Sequence, residues 1–132
     1  MAVTTYDAKD VSVIVNGAFL TGFAEGTFVS WAKDEENYNV TVGAQGDVGR
    51  SKVNNPLGTI TVTLMQTSPH CKTLDNYANT GALIPVSVID KGSSAVNVGG
   101  QECFVKKPAD GERSDELSTV EYEIAVLDYK TA

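Results

Sequence analysis

The sequence predicts a mainly β fold: a two-sheet antiparallel β-sandwich, or barrel-like domain, with one short flanking α-helix. Three observations carry this expectation. Apolar residues recur with period two in several short runs, β-branched residues crowd those runs, and Gly, Asn, Asp or Pro stands at their ends. Only one stretch, around residues 68–81, has helical spacing instead.

The elements follow in chain order. Val11, Val13 and Val15 alternate with Ser12, Ile14 and Asn16, which reads as a strand with one buried face. Asn16-Gly17 suits a two-residue hairpin turn, whose central residues both need positive φ. Residues 27–33 and 38–42 are weaker strand candidates, and Asp34-Glu35-Glu36-Asn37 between them reads as a second hairpin connection. Ile60, Val62 and Leu64 alternate with Thr59, Thr61 and Thr63. A helix is expected at 69–80: Ser68 can cap it, Pro69 fits its first position and Gly81 can close it. Leu74, Tyr77 and Ala78 then form one narrow apolar stripe to lay on a sheet. Residues 84–89 and 102–106 are further strand candidates. The clearest strand places Tyr122, Ile124 and Val126 opposite Glu121, Glu123 and Ala125.

Two polar stretches, 43–58 and 107–118, exceed ordinary hairpin length and are expected to be either functional loops or flexible excursions. No internal repeat or composition shift divides the chain, so one domain is expected over residues 1–132, with an N-terminal arm at 1–10.

Hydrophobic residues make up 42% of the 132 and charged residues 20%, which suffices for one core. Seventeen acidic against ten basic residues leave a net charge of -7, which disfavours close approach to nucleic acid phosphates. No apolar run reaches membrane-span length, and residues 1–10 lack the basic start and apolar run of a secretory signal. Synthesis and assembly in the cytoplasm are therefore expected. Two cysteines are too few for a disulfide scaffold.

The chemistry-bearing residues form no recognisable constellation. His70 is the only histidine, so an HExxH site cannot exist within one chain. Its neighbour Cys71 would diverge from it by about 100° on a helix, which removes a Cys-His dyad. The chain has no GxSxG elbow, no GxGxxG and no GxxxxGK[ST] loop. The acidic clusters Asp34-Glu35-Glu36 and Asp110, Glu112, Asp115, Glu116 do not match a calcium-binding loop. No enzyme activity, cofactor or metal is expected. Cys71, in the first turn of the helix, has two readings: a reduced, partly buried thiol, or a reactive one forming a disulfide between subunits or to a partner. Cys103, beside Phe104 in a strand, is expected in the core.

The run Leu57-Gly58-Thr59-Ile60-Thr61-Val62-Thr63-Leu64-Met65-Gln66-Thr67-Ser68-Pro69 resembles the strand-to-helix junction of the tail tube proteins of contractile-tailed, myovirus-type bacteriophages. Tyr6-Asp7-Ala8-Lys9-Asp10-Val11-Ser12-Val13, with Gly17, Leu20, Gly22-Phe23-Ala24 and Gly26-Thr27-Phe28, resembles the family's opening. Gly43-Ala44-Gln45-Gly46-Asp47-Val48-Gly49-Arg50-Ser51 resembles its long loop. The likeness extends more loosely through Lys106-Lys107-Pro108 to Glu121-Tyr122-Glu123, close to the whole chain.

This resemblance implies a structural virion protein whose copies close into hexameric rings that stack into the inner tail tube through which phage DNA passes during ejection. Partners implied are other copies of the chain, the sheath protein outside, and tape-measure and terminator or baseplate proteins, with DNA in the lumen unbound and no membrane. Candidates for reaching between rings are the arm at 1–10, with Tyr6 and Asp10, and the loop at 43–58, with Gly46, Val48, Arg50 and Val53. Glu121 and Glu123 are candidates for an acidic lumen wall that repels DNA, the alternative being an exterior solubilising role. Lys72, Asp75, Asn76 and Asn79 on the helix are candidates for a sheath or subunit contact. The competing reading is a soluble β-sandwich binding module, carbohydrate- or adhesin-like. It is weakened by aromatic supply, since Trp31 is the single tryptophan and the tyrosines and phenylalanines are expected mostly in the core.

Overall fold

Alternation in the sequence becomes burial in the structure. The computed structural model describes residues 3–92 and 95–132, so Met1 and Ala2 of the expected arm lie outside the described residues. Strands run β1 Val11–Val15, β2 Ala18–Phe19, β3 Val29–Lys33, β4 Tyr38–Val42, β5 Val48–Lys52 and β6 Gly58–Met65. After the helix α1, Cys71–Thr80, follow β7 Ile84–Asp90, β8 Val96–Val105, β9 Thr119–Val126 and β10 Lys130–Thr131. Val13 and Val15 of β1, Ile60, Val62 and Leu64 of β6, and Tyr122, Ile124 and Val126 of β9 are all sealed from solvent.

The mainly β expectation holds, with two antiparallel sheets and one α-helix among the described residues. The larger sheet has the order β2-β1-β7-β8-β9-β6-β3, with β10 added beside β8, and the smaller is the pair β4-β5. The larger sheet is not a closed barrel, yet its two ends share one core: Val13, Val86, Val88 and Val98 belong to the same apolar cluster as Ile60, Leu64, Tyr122 and Ile124. An open sheet achieves this only by curling over on itself. The connector after β2 crosses to the far edge, where Met65 N–H donates to Gly22 O at 2.8 Å and Ala24 N–H to Thr63 O at 3.1 Å.

The bend lies in β8, which pairs with β7 through Val96–Gly100 and again at Cys103, the register shifting between Ile84 and Val86, and with β9 through Cys103–Val105. Gly99 and Gly100 make the bend possible. A Cβ on Gly99, at φ 152°, would sit 2.1 Å from Val86 O, and one on Gly100 would sit 2.2 Å from Asp128 Oδ1. Asp128 closes the bend from outside, accepting Gln101 N–H at 3.0 Å and Glu102 N–H at 3.1 Å. These bonds hold its carboxyl below the usual range.

Four local expectations need correction. Residues 34–37 are not a hairpin turn: β3 pairs with β6 and β4 with β5, so this segment carries the chain from one sheet to the other. The stretch 43–58 is not all loop, because β5 occupies Val48–Lys52 and the true turn is residues 43–47, with Gly46 at φ 93°. The strand expected at 102–106 starts at Val96, its first half masked by the Gly pair that bends it. The helix starts at Cys71, with His70 in the capping position and no side-chain cap bond. Ser68 Oγ, two residues earlier, accepts His70 N–H at 3.4 Å and donates to Thr21 O at 2.6 Å. Asn16 and Gly17 form the expected turn, at φ 49° and 83°, and Gly81 ends the helix at φ 68°.

Candidate functional site

The β4-β5 hairpin forms a two-stranded sheet of its own, every residue of which is exposed. Its register pairs Tyr38 with Lys52, Val40 with Arg50 and Val42 with Val48. Because side chains alternate across a strand, these six share one face, while Asn39, Thr41, Gly49 and Ser51 share the other. One face is thus apolar and basic, the other small and polar. Arg50 lies over the Tyr38 ring at 4.2 Å, holding the guanidinium along the hairpin. Val42 and Val48, at the tip, are 65% and 70% exposed, unusual for facing valines with no cover.

The structure brings Gly46, Val48 and Arg50 together on this hairpin. Val53 is apart, half-buried at its root, where its N–H donates to Asn37 O at 2.8 Å. Tyr6 is exposed, and Asp10 ends a single 3-10 turn at Ala8–Asp10 whose carbonyl accepts Lys91 N–H at 3.1 Å. Alternation read only to Val42 missed the apolar face of the arm. The signal was present in Val48, Arg50 and Lys52, which continue the period on the returning strand.

Glu121 and Glu123 are exposed on β9, on the face opposite Tyr122 and Ile124. With Lys107, Asp110 and Thr119 they line a shallow polar cavity of about 420 Å³. Lys106 approaches Glu123 at 3.7 Å, so this wall is not purely acidic.

On the helix, Lys72, Asn76 and Asn79 are exposed, as a contact face requires. Asp75 is not. It is half-buried, accepting the Tyr122 hydroxyl at 2.9 Å and Ala109 N–H at 3.4 Å, and so ties the helix to β9 and to the 107–118 stretch. The Tyr122 hydroxyl also lies 3.0 Å from Cys71 O. Burial, then the neighbouring Asp75 carboxylate, pushes the Tyr122 phenol above its ordinary range.

Cys71 is half-buried, and desolvation raises its thiol above the ordinary value. Cys103 is buried as expected, and burial pushes its thiol up to about 11. The aromatic expectation holds in part: Tyr122 is buried and Phe23, Tyr77 and Tyr129 pack against the core, but Tyr6, Phe19 and Tyr38 are exposed, as is the single tryptophan Trp31. Among the described residues, no group of three or more His, Cys, Asp or Glu side chains is placed to hold a metal ion.

Comparison with known proteins gives these surfaces a context. The chain matches the PhiTE tail tube protein family model over residues 3–130. A comparison with curated proteins finds no match. Among solved structures, the sheath/tube terminator of the extracellular contractile injection system PVC superposes with a TM-score of 0.69 at 10% identity, over 100% of this chain and 99% of that one. The tube-terminating cap of the anti-feeding prophage gives 0.66 at 11% identity, over 100% and 94%. The PVC sheath-tube complex gives 0.65 at 11% identity, over 97% and 91%. At such identities the likeness concerns the fold. The family match rests on the sequence itself and spans nearly the whole chain, so the protein belongs to the bacteriophage PhiTE tail tube protein family and is a structural tube component.

Proposed function

We propose that copies of this chain close into hexameric rings, that the rings stack into the inner tube of a contractile tail, and that phage DNA passes along the lumen without specific binding. The observation that carries this reading is the β4-β5 arm, whose apolar face is exposed and is covered by nothing among the described residues. An uncovered apolar face on a hairpin is a surface for another molecule. Among the described residues the larger sheet is also unfinished, its outer strands β2 and β3 each pairing on one side only. Open edges of this kind are sealed when a neighbour adds its own strand.

In this arrangement the arm reaches between rings and Glu121 with Glu123 faces the lumen, where carboxylates repel phosphates. Lys72, Asn76 and Asn79 meet the sheath or the adjoining subunit. Tape-measure and terminator or baseplate proteins occupy the lumen and ends, and the assembled tube resides in the virion tail after assembly in the bacterial cytoplasm. Negative-stain microscopy of the purified protein tests the reading: rings or hollow filaments are expected, and uniform monomer-sized particles at high concentration would overturn it.

A further inference from the structure

The arm's apolar face has a counterpart elsewhere on the same chain. Between β1, β2 and the connector that follows lies an apolar groove of about 660 Å³, lined among others by Val11, Phe19, Leu20, Phe23 and Phe28. Phe19 is 59% exposed on its lip, and Phe23 packs on Phe28 at 5.0 Å between ring centroids. The groove adjoins a second depression, which shares Val11 and Phe28 and adds Tyr6, Trp31 and Asp90. An apolar end with Lys9 also among its lining residues therefore runs into an aromatic and acidic end.

The arm has the same order of chemistry. Val42 and Val48 face each other at its tip, Val40 sits one pleat behind at about 7 Å, and Arg50 stands opposite Val40. The arm carries Arg50 and Lys52 against Asp47 alone, although the whole chain carries -7. It is the basic exception in an acidic protein, and the groove's polar end holds Asp90 with Asp10 beside it.

Building on the tube reading above, we propose that the β4-β5 arm of one copy seats in the Phe19-Phe23-Phe28 groove of another, valines against the phenylalanines and Arg50 toward Asp90. Arm and groove are different surfaces, so the contact is head-to-tail and each copy both gives an arm and receives one. Running from ring to ring, such a contact does not close on itself and can extend, as a growing tube demands. The groove's natural occupant is a second copy of this chain rather than a small apolar ligand.

Disulfide trapping tests this. In a Cys71→Ser background, which leaves only the buried Cys103, Val48→Cys is combined with Phe19→Cys in one chain, and assembled tubes are oxidised and run on a non-reducing gel. The expected result is a ladder of covalent dimers, trimers and higher species from the double variant, and none from either single variant. Tubes that form normally but yield only monomers would overturn the seating while leaving the tube reading intact. Dimers from Val48→Cys alone would overturn it too, in favour of arm-to-arm contact. Absence of tubes even from the unmodified chain would defeat both. As a second variant, Val48→Lys should leave the urea unfolding midpoint unchanged and abolish tubes; normal tubes would count against the seating.

Discussion

Replacing Tyr122 by Phe removes one oxygen from a fully buried, hydrogen-bonded side chain of the core and leaves the ring in place. The residue is 1% exposed, and its hydroxyl lies 2.9 Å from Asp75 Oδ1 and 3.0 Å from Cys71 O. One proton serves two acceptors, and the charged carboxylate is the stronger. A hydrogen bond to a charged group contributes about 1.5–3 kcal/mol. Because the ring remains, no cavity forms, so the expected loss is about 2 kcal/mol rather than the roughly 3–5 kcal/mol of a large-to-small change. Urea unfolding of the two proteins should show a lower midpoint with an unchanged slope. A second signature is pH. The folded state raises the Tyr122 phenol above its ordinary value of 10, so its contribution is complete below pH 10 and declines as pH rises beyond it. Phenylalanine has no proton to lose, and the raised Cys71 and Cys103 thiols are common to both proteins. The stability gap between the two should therefore narrow above pH 10. A loss under about 0.5 kcal/mol, or a gap that stays constant to pH 11, would refute the role given to this hydroxyl.

Other consequences are equally specific. Gly99→Ala puts a methyl 2.1 Å from Val86 O, where backbone cannot yield, and should cost about 3 kcal/mol or prevent folding; Gly111→Ala, with open space around it, should be near neutral in the same thermal melts. Glu121→Gln with Glu123→Gln should leave tubes intact and slow genome delivery in an infection time course, whereas unchanged delivery would remove them from the lumen wall. Cys71, half-buried with a raised thiol pKa, should stay reduced in assembled tubes, and a non-reducing gel of the native assembly should show monomer only. A covalent dimer lost on Cys71→Ser would reverse this.

Much of the fold was legible because burial and alternation are the same fact seen twice. Val13 and Val15, Ile60 to Leu64 and Tyr122 to Val126 declared their inward faces through period two, and Asn16-Gly17 declared its turn through φ. What alternation cannot convey is which strand meets which. Residues 34–37 have the composition of a hairpin turn, but β3 finds β6, whose alternating apolar face offers more burial than the exposed β4. Glycine misled in the opposite sense at Gly99-Gly100, where it marks a bend within β8 instead of an end. Asp75 is expected at the surface with Lys72, Asn76 and Asn79 of the helix, and only the fold brings the Tyr122 hydroxyl to it. The arm was half visible: its turn residues stood out, while its apolar face required pairing Val42 with Val48 across the turn.

Helical reconstruction of filaments grown from the purified protein by cryo-electron microscopy tests self-assembly into a tube most directly. The expected density is a hollow wall with six subunits per ring, Glu121 and Glu123 on its inner face and the β4-β5 arm of each copy held by a neighbour. Filaments without a lumen, a closed small oligomer, or a wall with the arm free in solvent would contradict it.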